Sequence, residues 1–334
     1  MLTMRISVCS LLLIGCFAIG GCTNASSPSL IQKGEPTQHG RVAVTNFALF
    51  CAVKTICDEG EGPVDEVIYC GPTQDTDPHT WIPSLEQIRD LQKVDLIVCN
   101  GPGAAFSTWL DKVTLDESKL VRTTDAMKLE EFVLVKDYQL VHSHGPEGEH
   151  SHAWVVPQSW LSPSIARQQA AFCHKKIVEE YGHNQSLEDG FAKLQKRFDE
   201  LDTSVEALRE LHSEFVVATS SPEISYLTRE LGWGDRYLQL NEDSSEAAFE
   251  RMLLEMQARS VKDAPGPNAE AEVSETLFLW AGQATETLRR CVEQQWEAAV
   301  EIDLIETASD NDLDSNSYFE RMAKNLKVIR AAIE

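Results

Sequence analysis

The sequence predicts an α/β fold of two (β/α)4-like lobes with parallel sheets, joined by a long rigid interdomain helix, and three observations carry that expectation. Short runs rich in Val, Ile and Phe at 41–45, 64–70, 95–99 and 132–135 alternate with longer polar or helical segments. That alternation is the pattern of parallel strands covered on both faces by helices. The same alternation resumes at 214–219, 237–240, 277–280 and 298–304, so four strand candidates stand on each side of a central segment. In that segment Phe191, Leu194, Phe198, Leu201, Val205 and Leu208 recur at alternating intervals of three and four, which places them on one stripe of a single helix. A helix over 186–211 would extend roughly 38 Å at 1.5 Å per residue, enough to run along both lobes as a spine. Ser186, with Asp189 three residues on, is its expected N-cap. A coiled-coil pair is the alternative use of the stripe, but the repeat lasts only about three heptads.

The length suits two domains. At 334 residues with 43% apolar content, the chain can bury a substantial core, and about 150 residues per domain is usual. The start reads as a processing signal: Arg5 is the only charge in the first 21 residues, and an apolar stretch over 11–19 ends in Gly20-Gly21-Cys22. That stretch is short for a permanent membrane span. Residues 1–21 are thus expected to be a lipoprotein signal peptide, with Cys22 the lipidated residue, rather than an ordinary cleaved signal or a short anchor helix. Residues 22–38, rich in Ser, Pro, Gln and Gly, read as a flexible tether. The expected boundaries that follow are an N-terminal lobe over 39–185, a linking helix over 186–212 and a C-terminal lobe over 213–334. Within the last, 261–274, with Pro265-Gly266-Pro267, looks like a loop insertion.

Charge excludes some partners. Removing residues 1–21 takes away one arginine and no acid, leaving 28 basic against 53 acidic side chains. So negative a balance repels nucleic acid and anionic lipid headgroups, and tolerates cations. Besides Cys22, the exported chain keeps Cys51, Cys57, Cys70, Cys99, Cys173 and Cys291 in a compartment where disulfides persist. None forms a close CxxC pair, which removes the zinc-ribbon reading. Cys70 and Cys99 each close an apolar run, as buried thiols at strand ends would, and no disulfide pairing follows from spacing.

Ligands of open parallel sheets bind beyond the carboxyl ends of the strands, so the residues just after these runs come first. Asp77-Pro78-His79 follows the second strand, the proline restricting the loop that presents His79. His152 closes the segment 142–152, which holds His142, His144, His150 and His152 with two glutamates in eleven residues. Ser220-Ser221-Pro222-Glu223 follows the 214–219 run, and Asp303 lies in the last one. Imidazole and carboxylate from separate loops meeting in one cleft form a donor set suited to Zn2+ and, with more oxygen donors, Mn2+. Taken singly, His79 reads equally well as a surface or capping histidine, and His142, His144 and His150 as a solvated loop.

These residues resemble a known family, the zinc- and manganese-type solute-binding lipoproteins of ABC importers. The block Asp77-Pro78-His79-Thr80-Trp81-Ile82-Pro83-Ser84, continuing through Asp95-Leu96-Ile97-Val98 and Asn100-Gly101-Pro102-Gly103 to Trp109-Leu110, is similar to the family's DPH, turn, strand-and-loop and WL elements. His152-Ala153-Trp154-Val155-Val156-Pro157 is similar to its H-x-W-x-D-P, with Val156 at the aspartate position. The stretch from Thr219 keeps its TS-x-P frame through Tyr226, Leu227 and Gly232. The resemblance spans nearly all of the exported chain. It implies metal held between the lobes by His79, His152 and Asp303, with Ser221 or Glu223 as fourth. Family members carry His or Glu where this chain has Ser221, a weak neutral donor, which implies lowered affinity or altered selectivity. Leu304-Ile305 stand where the family has Pro-Leu. The histidines of the 142–150 loop form an auxiliary metal loop resembling that of zinc-type members, and they tilt the expected cargo toward zinc over manganese.

The expectation is therefore an exported, monomeric binding protein, lipid-anchored at a bacterial membrane and facing the periplasm or cell exterior. It would pass a divalent metal to an ABC permease without catalysis. The same fold could serve instead as a metal buffer, sensor or adhesin, a reading that the serine at 221 invites. A zinc hydrolase would need His79, His152 and Asp303 as ligands, an activated water at the Ser221 vacancy and Glu223 as general base. No HExxH motif supports that chemistry.

Overall fold

Two parallel sheets of four strands each organise the protein, as the computed structural model shows for residues 40–58, 61–78, 80–100, 109–135, 154–211, 215–240, 244–258, 276–308 and 313–334. In the N-terminal half the strands are β1 (Gly40–Val44), β2 (Val64–Tyr69), β3 (Leu96–Cys99) and β4 (Leu120–Arg122), ordered β2-β1-β3-β4. A separate two-stranded antiparallel ribbon follows, β5 (Leu134–Val135) with β6 (Trp154–Val155). In the C-terminal half β7 (Val216–Thr219), β8 (Gly234–Tyr237), β9 (Leu277–Ala281) and β10 (Ala298–Ile302) are ordered β10-β9-β7-β8. Counted in chain order within each half, both sheets read 2-1-3-4, the same winding twice. The chain switches direction across each sheet between its first and third strands, where open α/β sheets leave a crevice at the carboxyl ends. The α/β class expected from the sequence is therefore met.

Strand residues divide by face with a period of two. Val42 and Val44 of β1, Leu96 and Val98 of β3, Val217 of β7 and Leu277 and Leu279 of β9 all enter one continuous core. Their alternates face outward into smaller clusters: Ala43 and Ile97 pack with Leu91 and Trp109, while Ala218, Phe278 and Trp280 pack with Trp296.

The helices that fill the central core are α1 (Phe47–Cys57), α3 (Pro163–Tyr181), α4 (Gln185–Leu211) and α8 (Ser317–Ile333). The smaller ones are α2 (Leu85–Lys93), α5 (Ser225–Glu230), α6 (Glu246–Ala258) and α7 (Glu286–Glu293). α4 is the expected spine: Leu187, Leu194, Phe198, Leu201, Val205 and Leu208 are buried along it, while Phe191 is half-buried and stacks on His174 at 4.3 Å. α4 packs against α1, α3 and α8. Gly190 permits the α1 contact, because a Cβ there would meet the Ile56 carbonyl oxygen at 2.3 Å. The cap differs from the expected one. Asn184 Oδ1 accepts from the Ser186 amide at 2.8 Å, so Ser186 lies inside the first turn and Asn184, a capping side chain as good as serine, starts the helix.

Two strands also depart from expectation. The fourth strand of the first sheet is β4, not 132–135. The latter run instead pairs antiparallel with β6 (Leu134 with Val155, Val135 with Trp154), and Leu134 is exposed. β4 was hard to see because only Val121 of its three residues is buried. β8 ends at Tyr237, where the expected strand began. Gln239 takes a φ of 55°, and this left-handed turn stops the extended chain even though Leu238 and Leu240 are buried.

Candidate metal-binding confluence

The segments that follow β2, β6, β7 and β10 meet, together with Asn100 at the carboxyl end of β3. After β2, Thr73 forms a parallel bridge with Ala308, the Gln74 amide donates to the Ala308 carbonyl at 2.9 Å and the Ala308 amide donates to the Pro72 carbonyl at 3.4 Å. The loop carrying Asp77 is thus stitched to the chain beyond β10. Thr80 Oγ1 donates to Asp77 Oδ2 at 2.9 Å, and the Thr80 amide donates to the Asp77 carbonyl at 3.3 Å. Downstream, Ser84 and Gln87 form a capping box that starts α2.

At the end of β3, buried Asn100 donates through Nδ2 to the Pro157 carbonyl at 2.8 Å, and its Oδ1 accepts from Gln169 Nε2 at 2.8 Å. Val156, at the position where the resemblance has aspartate, is buried, and its amide donates to the Val133 carbonyl at 3.0 Å. Beyond it Trp160 Nε1 donates to the Leu304 carbonyl at 2.8 Å, and Tyr318 OH donates to the Trp160 carbonyl at 2.8 Å. The segment 156–160 therefore ties the end of β3 to the loop after β10.

Ser221 sits at the end of β7, beside the switch point of the second sheet. Its hydroxyl donates to Glu223 Oε2 at 3.0 Å and accepts from the Glu223 amide at 3.3 Å. Ser221 is thus the N-cap of the short turn Pro222–Ile224. A hydroxyl used in this way holds the glutamate in place.

Asp303, just after β10, is gripped by a guanidinium fork. Arg321 Nε donates to Oδ2 and Nη2 to Oδ1, each at 2.6 Å, and the Ile305 amide donates to Oδ1 at 2.9 Å. Burial pushes this carboxyl up, but the hydrogen bonds and charge of Arg321 outweigh it and hold it below the usual aspartate range. Arg321 also donates to the Thr307 carbonyl at 2.7 Å and lies over the Phe47 ring at 5.3 Å.

Gln158 and Glu306 are among the residues of the confluence, with Arg321, Trp160 and Tyr318, that were not singled out in the sequence. Glu306 Oε1 accepts from Gln158 Nε2 at 2.6 Å, and the same nitrogen reaches Glu223 Oε1 at 3.5 Å. Gln158 sits in the apolar run after β6 and Glu306 in a polar loop, so neither showed a motif. His79, His142, His144, His150, His152 and Cys22 lie outside the described residues. Among the described residues no group of three or more His, Cys, Asp or Glu side chains could hold a metal ion. Cys51, Cys57, Cys70, Cys99, Cys173 and Cys291 are all buried free thiols.

A duplicated 2-1-3-4 parallel sheet, a long connecting helix and loops converging at the strand ends define the two-lobed architecture of solute-binding proteins. The family described as zinc-uptake complex component A, periplasmic, matches residues 66–332, and the chain belongs to it. It is a metal-binding component of an ABC importer, in a transport family and not an enzyme family. Solved structures share the fold. FpvC of Pseudomonas aeruginosa in complex with Mn2+ aligns with a TM-score of 0.65 at 17% identity, covering 88% of this chain and 98% of that one. The Zn(II)-bound ZnuA-like domain of AdcA of Streptococcus pneumoniae gives 0.59 at 17% identity, covering 88% and 98%. The metal-dependent lipoprotein YcdH of Bacillus subtilis gives 0.57 at 18%, covering 87% and 98%. A comparison with curated proteins found no significant match. Among the described residues no helix is long and apolar enough to cross a membrane.

Proposed function

We propose that this chain captures one divalent transition metal, zinc favoured over manganese, at the confluence of these loops and hands it to its permease without chemistry. The observation that carries the reading is the convergence itself: segments after β2, β6, β7 and β10 are fastened to one another and bring acidic side chains of the C-terminal half to one place. Mn2+ bound in FpvC and Zn(II) bound in the ZnuA-like domain of AdcA support the choice of cargo. His79 and His152 supply the nitrogen donors. The oxygen donors come from the ends of β7 and β10, where the resemblance points to Ser221 or Glu223 and to Asp303. His142, His144 and His150 form an auxiliary loop that gathers metal for the site.

The exported protein acts as a monomer of two lobes, 39–185 and 213–334, on either side of the linking helix at 186–212. Residues 1–21 direct export, Cys22 carries the lipid, and 22–38 tether the fold to the membrane. Titration of the metal-stripped protein with Zn2+ tests the reading. Saturable one-to-one binding that is lost in His79→Ala and in His152→Ala supports it. Binding unchanged in both variants defeats the proposed nitrogen donors, and metal-dependent ester or peptide cleavage defeats the non-enzymatic role.

A further inference from the structure

Glu223 and Glu306 reach one shared nitrogen, and the side chain that bears it is unusual. Gln158 is 0% exposed. Its Nε2 donates to Glu306 Oε1 at 2.6 Å and lies 3.5 Å from Glu223 Oε1, while its Oε1 has no hydrogen-bond partner among the described residues. A buried amide oxygen left unsatisfied costs the folded state its desolvation. Here that oxygen belongs to the very amide that faces two carboxylates, so it points to a cationic species at the same place.

Asp303 is differently placed. Both of its oxygens are engaged by Arg321 at 2.6 Å, and a guanidinium is not neutralised by losing a proton in a protein. A dication brought to that carboxylate would meet a fixed positive charge. Arg321 is itself fastened by the Thr307 carbonyl at 2.7 Å and by the Phe47 ring. The pair instead shapes the loop. Ile305, held by its amide on Asp303 Oδ1 at 2.9 Å, takes a φ of 55°, costly for a β-branched residue. That turn immediately precedes Glu306.

We propose that Glu306, beside Glu223, supplies the C-terminal carboxylate to the bound metal. Gln158 is the positioning residue that holds the two carboxylates together and offers its amide oxygen, while Asp303 and Arg321 buttress the loop. The assignment rests on the metal-capture reading above. Two carboxylates and an amide oxygen are hard donors, of the kind that suits Mn2+, so Glu306 matters more for Mn2+ than for Zn2+.

Calorimetric titration of the metal-stripped protein with MnCl2 and with ZnCl2 tests this, with Glu306→Gln, Asp303→Asn, His79→Ala and His152→Ala compared and folding checked by circular dichroism. Glu306→Gln is expected to weaken Mn2+ binding by about tenfold or more, more than it weakens Zn2+ binding and more than Asp303→Asn does. An Asp303→Asn loss equal to or greater than that of Glu306→Gln overturns the assignment. So does a Glu306→Gln protein that binds Mn2+ within twofold of wild type while the histidine variants lose it, a result that leaves the capture reading standing. Histidine variants that bind normally while Glu306→Gln does not would sustain Glu306 and remove the proposed imidazoles. Should Glu306→Gln fail to fold, a crystal structure of the Mn2+-loaded wild-type protein decides: Glu306 in coordination contact supports the assignment, and Asp303 in contact with Arg321 displaced overturns it.

Discussion

Trp160 donates its indole N–H to the Leu304 carbonyl at 2.8 Å, which joins the segment after β6 to the loop after β10 alongside the Gln158–Glu306 bond. Trp160 is buried and its own backbone carbonyl accepts from Tyr318, so three elements are registered against one another through one residue, by its indole on one side and its main chain on the other. Trp160→Phe removes the donor and leaves the Leu304 carbonyl short of a partner. It is expected to destabilise the protein by about 2 kcal/mol, combining a lost hydrogen bond with a cavity smaller than that of a full truncation. Chemical denaturation followed by fluorescence measures it, and a change within a few tenths of a kcal/mol would show that the bond is dispensable.

Ser221 and Glu223 offer a graded comparison. The serine hydroxyl holds the glutamate through two hydrogen bonds at 3.0 and 3.3 Å, whereas the carboxylate is the stronger donor to a metal. Glu223→Gln is expected to weaken metal binding more than Ser221→Ala does, the latter by about tenfold, the lower end of the loss seen when a residue that orients a ligand is removed. Calorimetric affinities check the order. Equal and negligible effects would show that neither side chain serves the metal.

Acid should expose the Asp303–Arg321 pair. Because the folded-state pKa of Asp303 lies below its ordinary value, the unfolded chain binds the proton first. The pair's contribution is thus complete above the unfolded pKa of about 3.9 and is lost as pH falls below it through the lower folded value. Melting temperatures of wild type and Asp303→Asn measured from neutral pH downward should converge in that acid range. Curves that stay parallel would mean the pair adds no pH-dependent stability.

The cysteines should be silent in the native protein. Burial pushes the thiols of Cys51 and Cys57 up to about 12 and that of Cys70 up to about 11, and Cys173 is raised as well. The thiolate is the reactive species. A disulfide-exchange reagent at pH 8 is expected to titrate none of these four until denaturant is added. Rapid stoichiometric reaction in native buffer would contradict the burial.

Periodicity made much of the fold legible. The α4 stripe from Leu194 to Leu208, and the apolar strands β1, β3, β7 and β9, are local patterns that burial imposes on consecutive residues. β4 and β8 escaped because edge strands bury few residues: Val121 alone in one, Gly234 alone in the other. Asn184 displaced Ser186 as the cap because the two polar residues lie only two positions apart, and spacing alone did not choose between them.

By itself the sequence determined the alternation of strand and helix, the long spine and the family motifs around Asp77, Trp154 and Thr219, because each is written in residues close along the chain. Tertiary structure alone decided the partners of the acidic side chains. Asp303 and Arg321 are 18 positions apart, and Gln158 and Glu306 are 148 apart. Which carboxylate is already matched by a guanidinium, and which faces a buried amide, depends on contacts that exist only once distant loops have been folded together.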